Sequence, residues 1–266
     1  MLIVGEKINT SRKSIKEAVE NKDDEFIKKV TKDQKEAGAH YIDVNCGTFI
    51  NNEPELMQWL VETVQEEVDL PLCIDSPNPE AVKAGLEAHK NGQPMLNSIS
   101  GEKERYDGLT PLVKEYNCKV VVLCMDDDGI PQGAAKRFEV AQKVINDLKA
   151  EGVKEDDIYV DPLIQPISTD TNNGMSVFET IERVHSEFND VHTICGLSNV
   201  SYGLPKRKIL NQTFMILCMK SGLDSVILDP TDKEMMARIV STRALMGNDN
   251  FCSSYLKSYR KGILGD

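Results

Sequence analysis

Eight short apolar runs in this 266-residue chain stop on a carboxylate, an amide or a hydroxyl. The stops are Glu6 in MLIVGEK, Asp43 and Asn45 in HYIDVNC, Asp75 and Ser76 in LPLCIDS, and Asn97 and Ser98 in PMLNSIS. Asp126, Asp161, the Ser198-Asn199 pair of HTICGLSN, and Asp229 end the other four. One such residue is readily a cap, because Asp, Asn and Ser at a strand-to-helix junction accept the first free backbone N–H groups. Eight of them at one mouth would be different chemistry, since gathered carboxylates repel one another unless donors or cations satisfy them. The set points to a polar ligand with several N–H donors, with a divalent cation as the rival. Zinc finds little here: histidines 40, 89, 185 and 192 fall at strand starts or inside helices, and no Cys-x-x-Cys pair occurs. No Gly-x-Gly-x-x-Gly or Gly-x-x-x-x-Gly-Lys loop offers a nucleotide cradle, and no histidine is placed to activate a Ser or Cys nucleophile.

Such residues act together only if the elements bring them to one place. The eight β-branched runs alternate with stretches of helical period from one end of the chain to the other. Pro54 and Pro79 mark first turns, and Gly38, Gly152 and Gly222 close helical runs before a new strand. No Gly- or Ser-rich linker divides the chain, so the reading is one α/β domain over 1–266, a single (β/α)8 TIM barrel rather than an open doubly wound sheet. The carboxyl ends of its strands would form the active mouth. Charge bounds the partners: 31 basic against 43 acidic residues give a net charge of -12, which repels nucleic-acid backbones and anionic membranes. Seven cysteines, several within apolar runs, suggest a reduced compartment. No basic-then-apolar leader and no run of eighteen apolar residues is present, so a cytoplasmic protein without a membrane span is expected.

GEKIN at 5–9, DVNCG at 43–47, IDS at 74–76, LNSIS at 96–100, VDPL at 160–163 and GLSNVSYGLP at 196–205 occur in order along the whole chain. Together they resemble the pterin-binding methyltransferases, and within them the methyltetrahydrofolate:corrinoid-protein methyltransferases. The resemblance implies a barrel, a homodimer, methyltetrahydrofolate as substrate, and a corrinoid (cobalamin) carried by a separate partner protein, with no metal held by this chain. It matches Asp75, Asn97 and Asp161 to the positions that hold the pterin ring, and Asn199 to the residue beside the methyl-bearing N5. Glu6, Asp43, Gly196 and Ser198 are assigned to the same pocket, Gly196 for close approach of the backbone. Lys206 and Arg207, which open a helix where cations oppose its dipole, are expected to meet the anionic tail of the folate or an acidic face of the partner. Tyr202-Gly203 departs from some relatives, which leaves the tail contacts open.

The residue types fit that chemistry. A pterin presents an amino-pyrimidinone edge whose parallel N–H donors a carboxylate accepts as it does a guanidinium, and an amide such as Asn97 donates and accepts at once. An amide is no general acid near neutral pH, so Asn199 is read as a donor whose bond strengthens as charge develops on the leaving nitrogen. Two other readings remain: a dihydropteroate synthase-like pterin enzyme, disfavoured by the eighth run SVILDPTDKEMM, which lacks the Lys and Arg-x-His of that family, and a non-catalytic folate-binding subunit.

Overall fold

The computed structural model describes residues 1–264. Its strands are β1 (Leu2–Asn9), β2 (Tyr41–Asn45), β3 (Leu72–Asp75), β4 (Met95–Gly101), β5 (Lys119–Asp126), β6 (Ile158–Asp161), β7 (His192–Thr193) and β8 (Ser225–Leu228). All pair in parallel in the order β7-β6-β5-β4-β3-β2-β1-β8. A single bridge between Gly196 and Ile227 closes the ring, with the Ile227 N–H donating to the Cys195 carbonyl at 3.0 Å. The result is the eight-stranded barrel expected from the alternation.

Ten helices surround it among the described residues: α1 (Lys13–Glu20), α2 (Asp24–Glu36), α3 (Glu53–Glu67), α4 (Pro79–Ala88), α5 (Lys103–Glu115), α6 (Ala134–Ala150), α7 (Asn173–Glu187), α8 (Arg207–Ser221), α9 (Lys233–Leu245) and α10 (Ser253–Arg260). Eight follow the strands as the periodicity predicts, while α1 and α10 are additions. Both are short, eight residues each; α1 buries only the face of Ile15, Ala18 and Val19, and α10 buries none of its own residues. Pro54 and Pro79 do stand in first turns. Gly222 ends α8 at φ 118, and a Cβ there would come within 2.7 Å of the His185 ring.

Strand side chains alternate between helix-facing and lumen-facing positions. Ile42, Ile74, Leu96, Val120 and Val160 pack with the helices in one large cluster, and Val226 in another. The alternate residues Val4, Tyr41, Cys73, Met95, Val121 and Tyr159, with Ile194 just past β7, form a cluster of their own, the apolar filling of the barrel. The histidines serve the opposite end from the active mouth: His40 and His89 accept the backbone N–H groups of Ile3 and Leu72, and His192 pairs with Asp224.

One expectation is corrected. The seventh run does not continue as a strand to Ser198-Asn199; ladder pairing stops at Thr193, and Ser198–Ser201 coil into a 3-10 turn. Gly196 still reaches its neighbour strand through the one bridge.

Candidate active site

The period of two locates the site. Two residues beyond the lumen-filling Val4, Tyr41, Cys73, Met95, Tyr159 and Ile194 stand Glu6, Asp43, Asp75, Asn97, Asp161 and Gly196. An apolar layer therefore floors a polar layer at the carboxyl ends of six strands. Asp43 is buried, and Glu6, Asp75, Asn97 and Asp161 are half-buried.

Burial shapes the charge of this layer. Asp43 is pushed well above the usual carboxylate range by desolvation and then by the neighbouring Asp75. The Asn97 amide donates to Asp43 Oδ1 at 3.4 Å. Desolvation raises Asp75 to about 6, opposed by the Asn45 amide, which donates to Asp75 Oδ2 at 2.9 Å, and by the Arg105 charge. Asp161 is raised to about 7 by burial, against the Leu163 N–H at 2.8 Å and the charge of Arg137. Glu6 is also raised by desolvation, although Arg12 donates to it at 2.9 Å. The layer is thus rich in acceptors that burial makes costly to ionise and that N–H donors would ease.

Several residues outside the expected set hold this layer in place. Asn45 accepts the Gly47 N–H on Oδ1 at 3.1 Å, which turns its NH2 toward Asp75. Its lumen-facing position, two beyond Asp43, was a signal for it. Arg137 is fully buried and donates to the carbonyls of Pro131 and Pro162 and to Gln165, bracing the loop after Asp161. Arg105 forks onto the Ser98 carbonyl and hydroxyl at 2.9 and 3.0 Å. The buried Glu53 accepts from Ser76 at 2.6 Å and Asn78 at 3.2 Å. These last three lie in helices or their caps, where sequence pattern did not separate them from surface charges. Ser76, Ser98, Asp126 and Asp229 prove to be local fasteners: Asp126 and Asp229 accept backbone N–H groups two residues on, at Asp128 and Thr231.

At the mouth, Ser198 and Asn199 are exposed on their 3-10 turn, and the Asn199 side chain makes no hydrogen bond to another described residue. A Cβ at Gly196 would meet nothing within 4 Å, so the backbone there borders open space. Ser198, Glu6, Asn211 and Asp229 line a cavity of about 120 Å³. A roomier one of about 380 Å³ lies beside α2 and α9, lined by Lys7, Asp33, Glu36, Thr231 and Lys233, and shares none of the strand-end acceptors. Lys206 makes no ion pair among the described residues, whereas Arg207, also exposed, donates to the Ser198 carbonyl and the Ser201 hydroxyl. No group of three or more His, Cys, Asp or Glu among the described residues is arranged to hold a metal ion.

The profile of the pterin-binding enzymes matches residues 5–229. A methylcorrinoid:tetrahydrofolate methyltransferase of Eubacterium limosum is 40% identical over 100% of this chain and 98% of its own. A methionine synthase of Mycobacterium tuberculosis is 32% identical over 90% of this chain, which spans 21% of that protein. Among solved structures, dihydropteroate synthase of Xanthomonas albilineans with 4-aminobenzoic acid superposes with a TM-score of 0.70 at 17% identity, covering 92% of this chain and 91% of that one. The Yersinia pestis dihydropteroate synthase gives 0.67 at 16%, covering 92% and 93%. At such identities these two show the shared barrel alone.

Proposed function

The chain belongs to the pterin-binding enzymes, and from that premise we propose that it moves the N5-methyl group between methyltetrahydrofolate and the cobalt(I) of a corrinoid held by a separate protein. The observation that carries this reading is the lumen-facing acceptor layer of Asp75, Asn97 and Asp161 over an apolar floor. The full-length similarity to a methylcorrinoid:tetrahydrofolate methyltransferase supports the choice of reaction.

In the methyl-to-cobalt direction the cobalt(I) lone pair attacks the methyl carbon, the carbon–N5 bond breaks, and N5 keeps the electron pair and takes a proton from water. The reverse direction runs the same steps backward. Asp75 and Asp161 accept the N–H groups of the amino-pyrimidinone edge, each easing its own desolvation as it does so. Asn97 supplies a mixed donor and acceptor pair. Its amide is steadied by Asp43 behind it, whose Oδ1 accepts from the Asn97 NH2. Glu6, Ser198 and Gly196 border the face of the ring. The Asn199 side chain, without a hydrogen bond to another described residue, donates to N5, and that bond strengthens as N5 gains negative charge.

The corrinoid arrives on a partner, a view supported by the absence of an Asp-x-His-x-x-Gly loop from the sequence. Lys206, exposed and without an ion pair among the described residues, fits an acidic face of that carrier or the folate tail. A homodimer is supported by the exposed Leu245 and Phe251 around α10, and a reducing, cytoplasmic setting by six buried free thiols. The test follows cobalt spectroscopically: purified protein with methyltetrahydrofolate and cobalt(I) cobalamin, free or on a carrier, should convert the cobalt(I) spectrum to that of methylcobalamin. A spectrum that does not change with either acceptor overturns the reading.

A further inference from the structure

The turn that carries Asn199 receives little support from the sheet. β7 has two ladder residues and the single bridge at Gly196, so everything from Leu197 to Lys206 must be held by other means. On one side, the loop before α7 contributes two bonds: the Ile167 N–H donates to the Val200 carbonyl at 3.0 Å, and the Ser168 hydroxyl donates to the Tyr202 carbonyl at 2.9 Å. On the other side stands Arg207, the first residue of α8.

Its guanidinium donates from Nη2 to the Ser198 carbonyl and from Nε to Ser201 Oγ at 3.0 Å. The Ser201 hydroxyl, fully buried, spends its own hydrogen on Asn211 Oδ1 at 2.7 Å and so offers Arg207 a lone pair. One planar fork thus grips both ends of the four-residue turn, Ser198 and Ser201, with Asn199 between them. A cation at a helix N-terminus opposes the helix dipole, and this one has no carboxylate partner among the described residues. Its position is explained by what it holds.

We infer that Arg207 is a positioning residue for Asn199: its guanidinium fixes the backbone of the 198–201 turn so that the Asn199 amide is preorganised at the leaving nitrogen. This rests on the methyl-transfer reading above for its kinetic consequence, and on geometry alone for its structural one. A fork of this shape needs two N–H groups in one plane at fixed spacing, which an ammonium does not offer.

Two readouts test it separately. Amide hydrogen exchange compares the wild-type protein with Arg207→Ala and Arg207→Lys. Protection of Val200 and Tyr202, whose N–H groups bond within the turn, should fall in both, while amides in β2 and β6 stay protected. Unchanged exchange in the turn overturns the inference, whether or not the protein transfers methyl groups. Loss of protection everywhere marks misfolding, and Ser201→Ala, which removes one tine's acceptor, then takes the place of the Arg207 variants.

The kinetic arm uses methyl transfer to cobalt(I) cobalamin. Arg207→Ala should lower kcat by about tenfold or more with KM for methyltetrahydrofolate changed less than threefold, and added guanidinium ion should restore part of kcat. In the Asn199→Ala background the same substitution should cost nothing further, because its effect runs through Asn199. Additive losses in the double variant, or a loss confined to KM, would overturn the inference and return Arg207 to binding the folate tail. An inactive wild-type enzyme would instead defeat the methyl-transfer reading, leaving the exchange result to decide the clamp.

Discussion

Asn199 and the two pterin-edge carboxylates make separable demands at the residue scale. Asn199→Ala should keep the fold, since the side chain is exposed and fills no core. Methyl transfer should slow by about 10²-fold or more, the scale for removing one preorganised donor to a developing charge. Affinity for methyltetrahydrofolate, measured by equilibrium titration, should fall much less, because ground-state N5 carries little charge. Equal losses in rate and affinity would make Asn199 a binding residue. The carboxylates predict a pH dependence. Burial raises Asp75 to about 6 and Asp161 to about 7, and only the ionised form accepts two N–H groups. Folate affinity should therefore weaken as pH falls from about 7 toward 5, by up to about tenfold per pH unit for each carboxylate involved. Replacing either by Ala should cost about 1–3 kcal/mol of binding at neutral pH, the price of an unpaired buried donor edge.

The same desolvation has an opposite consequence for stability. Asp161 binds its proton more tightly folded than unfolded, where a carboxylate titrates near about 3.9. Its contribution to stability is accordingly fully present below that value and is lost as pH rises through about 7. Asp161→Asn should then raise the melting temperature of the ligand-free protein more at pH 8 than at pH 5 while impairing folate binding. A pH-independent change would mean that burial of the charge is not what strains this position.

Element-scale behaviour centres on the seam between β7 and β8. Where ladder bonds are missing, the Asp224 carboxylate takes their place: Oδ1 accepts the Thr193 N–H at 3.1 Å and the Ser225 hydroxyl at 3.0 Å, and Oδ2 pairs with His192 Nδ1 at 2.6 Å. His192 also stacks on Tyr159 and meets Asp156 at 3.2 Å. The bond to Asp224 raises the imidazole above its ordinary pKa despite the opposing desolvation. A raised folded-state value means that this stabilisation is complete below about 6.5 and is lost as pH climbs through the folded value. Thermal melts should show this decline in the wild type and a flatter profile in Asp224→Asn, which keeps the shape but not the charge. Parallel profiles in the two proteins would remove His192 from the seam's energetics.

For the whole molecule, the acidic surface and the exposed apolar residues around α10 point in different directions. Net charge of -12 favours solubility, whereas an eight-residue helix that buries none of its own side chains, preceded by a turn whose Phe251 is 99% exposed, is poorly stabilised alone. Sedimentation should give about twice the 29.7 kDa chain mass, and Phe251→Ser should shift it toward the monomer. A monomeric wild type would leave α10 without its proposed cover. Methyl transfer to cobalt(I) cobalamin should also survive chelation, because the carboxylate layer is proposed to face N–H donors rather than a cation. Activity lost to chelator and restored by Mg²⁺ or Zn²⁺ would reassign that layer.

The order of strands and the identity of the acceptors were legible in the chain because both depend on local period: apolar runs that end in Asp43, Asp75, Asn97 and Asp161 state their parity two residues at a time. The family motifs lay in the same segments and carried the pterin reading. Other features depend on distances that no spacing encodes. Ser198-Asn199 look like the end of a strand until the ring has to close, and closure at Gly196 forces them into a turn. Arg207 looks like a surface cation until α8 sets its guanidinium beside the Ser198 carbonyl. The near-neutral titration of Asp75 and Asp161 belongs likewise to the tertiary structure, since desolvation arises only when eight strands exclude water from one lumen.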